Sequence, residues 1–153
     1  MYIDDILISK DISIRELAGK GYKVHHGLRT SRIKTAPQTV LFLKQDFLAE
    51  FLFSGNNIWK ILLYICPDEE INKSQLPSKD SENLKWEKNT SLLKKNIGSP
   101  DTKNENGWVY LFPEYNITCR KEPHGKSQYE GGNIIIEFCR SGMRDADPKD
   151  TFS

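Results

Sequence analysis

A histidine pair, His25-His26, runs straight into Gly27 and is followed by Arg29, Arg32 and Lys34. An imidazole donates or accepts a hydrogen bond, and a glycine lets a ligand come close to the backbone. Arginine presents a planar fork of N–H donors that matches phosphate oxygens. Together these residue types point to a phosphate-bearing ligand, with a solvated surface turn as the plain alternative. Glu114, in Phe-Pro-Glu-Tyr after an apolar run, is a carboxylate able to stabilise a developing cation; an ordinary turn residue is its alternative. Asp4-Asp5 could hold Mg²⁺, or could form an acidic turn.

Other chemistry has no pattern to carry it. Cys66, Cys119 and Cys139 are odd in number and far apart, which argues against a disulfide framework and a zinc site. No metal centre is expected. None of the phosphate-loop, zinc-protease or serine-nucleophile motifs is present. The net charge of +1 rules out a whole-molecule field for nucleic acid or membrane, so electrostatic binding must come from a local patch. No apolar run approaches the roughly 20 residues that span a bilayer, and no signal peptide stands out. The expectation is an intracellular, cytoplasmic, reduced protein, in which the three Asn-x-Ser/Thr sequons at Asn72, Asn89 and Asn116 arise by chance.

The elements that must position these residues cluster between residues 22 and 65. A short strand is expected over 3–9 and a helical turn over 11–17, ended by Gly19 and Gly21. Residues 22–25 alternate as a half-buried strand. Residues 27–37 show no apolar periodicity and read as a basic loop. Residues 39–43 form a β-branched and aromatic run, a buried strand. Phe47, Leu48, Phe51 and Leu52 fall at helical spacing, with Gly55 as the αL residue ending that helix. Residues 58–65 are apolar at nearly every position, as in a strand covered on both faces, and Pro67 stops them.

Residues 67–107 are polar and read as an exposed, partly mobile insertion. It carries a surface helix over 81–93 anchored by Leu84, Trp86, Leu92 and Leu93. Two further strands are expected at 108–112 and 133–138, with Glu137 facing solvent. The sum is one α+β domain over 1–140, with a mixed sheet of about five or six strands and two or three helices. A polar, frayed tail follows over 141–153.

The order of a His-Gly strand, strand–helix–strand, then Asn-Gly-Trp-Val-Tyr-Leu and Glu-Tyr-Asn-Ile resembles the ADP-ribosyltransferase superfamily, most of all its RNA 2′-phosphotransferase branch, over residues 22–117. The resemblance implies NAD as cofactor, cleavage of its N-glycosidic bond, and modification of a protein or nucleic acid. It implies that His26 and Gly27 bind the NAD ribose and that residues 39–43 lie against the nicotinamide. Glu114 would orient the ribose and stabilise an oxocarbenium-like transition state. Arg29 or Arg32 would face the same cleft, and the basic loop 29–34 would meet the acceptor.

A shorter stretch, Tyr2-Ile-Asp-Asp-Ile-Leu-Ile, is similar to the Y-x-D-D box of retroviral-type reverse transcriptases. That resemblance implies that Asp4 and Asp5 descend from metal-binding carboxylates and that the chain is a remnant of such an enzyme. Patterning that stays consistent to the last strand favours an intact domain instead. The ribosyltransferase-like reading is therefore the leading expectation, with a non-enzymatic domain that binds a protein or nucleic acid as the alternative.

Overall fold

Residues 45–54 read Gln-Asp-Phe-Leu-Ala-Glu-Phe-Leu-Phe-Ser, and every second one is buried: Phe47, Ala49, Phe51 and Phe53. That period of two makes the segment a strand, not the helix expected from Phe47, Leu48, Phe51 and Leu52. Phe47 and Phe51 fit both periods, whereas Leu48 and Leu52 fall on the other face of the strand. The decisive residues are Ala49 and Phe53, which complete the alternation. Gly55 does carry a positive φ of 59°, but as the first residue of a two-residue hairpin loop.

In the computed structural model, which describes residues 1–27, 31–66, 79–105, 107–121 and 131–139, eleven strands and two helices follow one another. They are β1 (Tyr2–Ile3), β2 (Ile6–Leu7), α1 (Ile14–Gly19), β3 (Val24–His26), β4 (Arg32–Thr35), β5 (Gln38–Phe42) and β6 (Gln45–Ser54). Then come β7 (Asn57–Ile65), α2 (Lys79–Ile97), β8 (Thr102–Asn104), β9 (Gly107–Leu111), β10 (Tyr115–Arg120) and β11 (Ile134–Phe138). The strands form one curled antiparallel sheet in the order β2-β1-β5-β6-β7-β11-β10-β9-β8, with β4 on β6 and β3 on β4.

This corrects the expected mixed sheet of five or six strands. Tight turns between neighbouring strands make antiparallel pairing the accessible geometry, because a parallel pair needs a long crossover. Two of those turns carried no strong signal. The β1–β2 turn is Asp4-Asp5, with Asp4 at φ 50°. The β5–β6 turn is Leu43-Lys44, with both residues at positive φ, 51° and 65°. Asn-Gly would suit that geometry; leucine and lysine adopt it at a steric cost. The segment 27–37, expected as loop, contains β4, whose Arg-Ile-Lys-Thr alternates outward and inward.

β6 shares one edge between two partners. Gln45–Ala49 pair with β5, while Leu52–Ser54 pair with β4. At the seam the Phe51 N–H faces neither ladder. It donates instead to the Thr35 side-chain oxygen, 2.9 Å away and fully buried. The opposite edge of β6 pairs with β7 along its length. One continuous core lies on the inner face: Phe47, Phe51 and Phe53 of β6, Ile61 and Leu63 of β7, Ile134 and Ile136 of β11, and Ile117 of β10. Tyr22 meets Phe51 edge-on at 5.4 Å.

α1 starts at Ser13, whose hydroxyl accepts from the Glu16 N–H, and it buries Leu17. α2 buries Leu93, leans Trp86 and Leu92 on the core, and ties Asn89 to the Gly132 carbonyl at 2.6 Å. Gly98, at φ 105°, closes α2 as its left-handed C-terminal residue. Much of the stretch expected as an insertion is thus built into the fold. Residues 67–78 and the expected tail 141–153 lie outside the described residues.

The seam bond predicts a specific cost. Thr35→Val keeps the shape but leaves the Phe51 N–H buried without an acceptor. It should lower the unfolding free energy by about 1–3 kcal/mol, read as a lower urea midpoint at unchanged m-value. Thr35→Ser, which restores the oxygen, should recover most of the loss. Equal losses in the two variants would sink this account.

A second prediction concerns alkali. Burial pushes the Tyr22 and Tyr110 phenols up to about 12, and the Cys119 thiol up to about 12. The folded chain therefore keeps these protons where the unfolded chain, with ordinary values of 10.0 and 9.0, releases them. Their contribution is whole below pH 9 and is lost as pH rises toward 12. The Tyr22 hydroxyl is buried with no hydrogen-bond partner among the described residues. Tyr22→Phe should hold or raise stability at neutral pH and make the fall between pH 10 and 12 shallower. A clear loss at neutral pH would mean that the hydroxyl is satisfied.

Candidate functional site

The β6–β7 ladder slips by one residue between Leu52 and Phe53. Leu52 pairs with Lys60 and Phe53 with Ile58, which leaves Trp59 as the extra residue of a bulge. A bulge re-aims a side chain that a regular ladder would hold in place. Trp59 is half-buried, and its ring sits under the guanidinium of Arg32, 5.8 Å from the centroid, with the Lys60 amine at 5.0 Å.

Residues paired across an antiparallel sheet share a face. The registers His25–Lys34, Lys34–Leu52 and Leu52–Lys60 therefore set one row across β3, β4, β6 and β7 on the face away from the core. Arg32 is two residues from Lys34, on the same face. At strand rise that separates the two cations by roughly 6.6 Å along the chain.

The row opens into a cavity of about 330 Å³ lined by His25, His26, Gly27, Arg32, Lys34 and Trp59, with Ile33, Leu52 and Phe53 behind them. No lining residue is acidic. Neither Arg32 nor Lys34 takes part in an ion pair among the described residues. Three backbone bonds hold the corner: Gly27 N–H to the Arg32 carbonyl, Ala36 N–H to the Lys23 carbonyl, and Gly55 N–H to the Ser31 carbonyl.

Of the residues singled out in the sequence, His25, His26, Gly27, Arg32 and Lys34 are brought together here. Arg29 lies outside the described residues. Glu114 is not among the lining residues. It sits in the β9–β10 turn, where its carboxylate accepts from the Lys10 N–H at 3.2 Å and its carbonyl from the Cys139 N–H at 3.0 Å. The strand–helix–strand order behind the ribosyltransferase resemblance is strand–strand–strand here, because β6 stands where the helix was expected.

Asp4 and Asp5 have structural partners. The Asp4 carboxylate accepts from the Leu41 N–H at 2.7 Å, latching the β1–β2 hairpin to β5. Asp5 bonds the Lys20 amine at 2.7 Å, and that hydrogen bond holds its carboxyl below the usual range. No cluster of three or more histidine, cysteine or carboxylate side chains that could hold a metal occurs among the described residues.

A larger cleft, about 740 Å³, lies between α2 and the ends of β6 and β7. It sets Asp46 and Glu87 against Lys88 and Lys95 around Ile65 and Leu92. Mixed charge selects no one ligand class, so the smaller basic pocket is the better candidate.

Trp59 was missed in the sequence because it lies inside an apolar strand and reads as core. Its signal is indirect: a tight Gly55-Asn56 turn followed by a mismatch in the two strands' alternation. No protein-family model, no curated protein and no solved structure matches this chain. No helix among the described residues is long and apolar enough to cross a membrane.

The separation of His26 from Glu114 has a measurable consequence. Residues with no shared partner contribute independently, within about 0.3–0.5 kcal/mol. His26→Ala and Glu114→Gln should therefore have additive effects on stability in a double-mutant cycle. A coupling well above that would place the two side chains in one site.

Proposed function

We propose that the protein is a binding module whose β3–β4 corner holds the phosphate backbone of a nucleic acid. The observation that carries this reading is that Arg32 and Lys34, in no ion pair among the described residues, lie side by side on one strand face with His25, in a pocket whose described lining has no carboxylate. Cations held in no ion pair among the described residues can pair with phosphate at small reorganisation cost. Their spacing along the strand suits successive phosphates of an extended chain. The net charge of +1 makes the contact local and the affinity modest.

An NAD-dependent transferase would draw on the same His26, Gly27 and Arg32. It also needs a carboxylate beside the scissile ribose bond, and Glu114 is engaged with Lys10 away from this pocket. Binding without glycosidic cleavage is therefore the reading that the geometry favours.

Binding of a fluorescent oligonucleotide, titrated at several salt concentrations, tests it. Each phosphate contact adds about 0.7 to the slope of log affinity against log salt for a single strand. Arg32→Ala and Lys34→Ala should each weaken binding and flatten that slope by about 0.7. Lys103→Ala, at the far end of the sheet over Trp108, should leave it unchanged. Undetectable binding, or a slope indifferent to both corner variants, would overturn the reading.

A further inference from the structure

We infer that the nucleic acid taken at this corner is single-stranded and that one unpaired base stacks on Trp59. This deepens the proposed function and rests on it. Phosphate contacts alone position a strand and do not tell single from double strands. The tryptophan beside the cations does, because a paired base offers no free face.

Three features support the assignment. The bulge places Trp59 beside the cation row, within the same cavity as Arg32 and Lys34. A regular ladder would have continued the alternation and offered no indole there. The cavity of about 330 Å³ is at the low end of small-ligand sites, and Leu52, in the cation row on the same face, adds an apolar side chain beside the indole. The indole is also already covered by cations, Arg32 at 5.8 Å and Lys60 at 5.0 Å.

That last feature makes an exchange possible. Exposed cation–π contacts are weak, and a base stacked on an aromatic ring is the stronger contact. Arg32, at the tip of a flexible side chain, can leave the ring for a phosphate as the base arrives. The cation then keeps a partner throughout, and the strand gains both a stacking and a charge contact. Lys60 stands opposite Glu137 of β11, which leaves Arg32 as the side chain that makes the exchange.

The experiment compares four probes on the full chain: an oligothymidylate, the same backbone without bases, a duplex of equal length, and polyglutamate. Affinity is read by anisotropy and stacking by quenching of tryptophan emission. The expected result is tightest binding of the oligothymidylate, with quenching. Trp59→Leu should then lower its affinity roughly 10-fold, to the level of the abasic strand, with the salt slope unchanged and the quenching gone. Trp59→Phe, a smaller ring, should lose less, and its cooperative melt would show that the fold is kept.

Equal affinity for oligothymidylate, abasic strand and duplex, unaffected by Trp59→Leu, would overturn the stacking inference while leaving phosphate binding in place. Binding of none of the nucleic acid probes would remove both. Binding of polyglutamate alone would likewise overturn both in favour of an acidic protein partner.

Discussion

The fold depends on β6 being paired along both edges by three strands. A ten-residue strand with β7 on one side leaves its other side long enough for two short partners, β5 and then β4. Two partners on one edge create a gap in the ladder, and a buried N–H in a gap must find an acceptor elsewhere. Thr35 supplies it through a bond of 2.9 Å from Phe51. The same threonine ends β4, so the residue that closes the gap also fixes where the β3–β4 hairpin departs.

That departure sets up the candidate site. Past the seam, β6 carries β4 and β3 outward, and the ladder to β7 slips by one residue within the same stretch. The slip exposes Trp59 next to the strand that carries Arg32 and Lys34. A regular β6–β7 pair would have kept the alternation and left a charged strip without an aromatic neighbour. Core packing and site construction meet at Phe53, which is fully buried on the core side and also lines the pocket.

Charge distribution follows from how the carboxylates are used. Asp4 latches a hairpin, Asp5 holds Lys20, Asp101 accepts from the Leu111 N–H at 2.8 Å, and Glu114 accepts from Lys10. Each lies in a turn or cap away from the β3–β4 corner. A chain that is nearly neutral as a whole can therefore hold a locally basic pocket, because these four acids are engaged elsewhere and none of the residues lining the pocket is acidic.

The sequence by itself determined the elements whose signals are local. The strands at 39–43, 58–65, 108–112 and 133–138, a helical turn over 11–17 where α1 (Ile14–Gly19) forms, a surface helix over 81–93 inside α2 (Lys79–Ile97), and the grouping of His26, Gly27 and Arg32 were all legible. Each rests on neighbours within a few residues: a run of β-branched side chains, a pair of glycines ending a helical turn, a glycine after a histidine. Tertiary structure alone decided the rest. Residues 47–53 satisfy both a helical and a strand period, and only edges available on both sides select the strand. Leu43-Lys44 turns because β5 and β6 must pair, against its own backbone preference. Trp59 reads as core in any one strand and becomes part of a pocket only through a register slip against its partner. Glu114 stands away from His26 because pairing, not order along the chain, sets which residues meet.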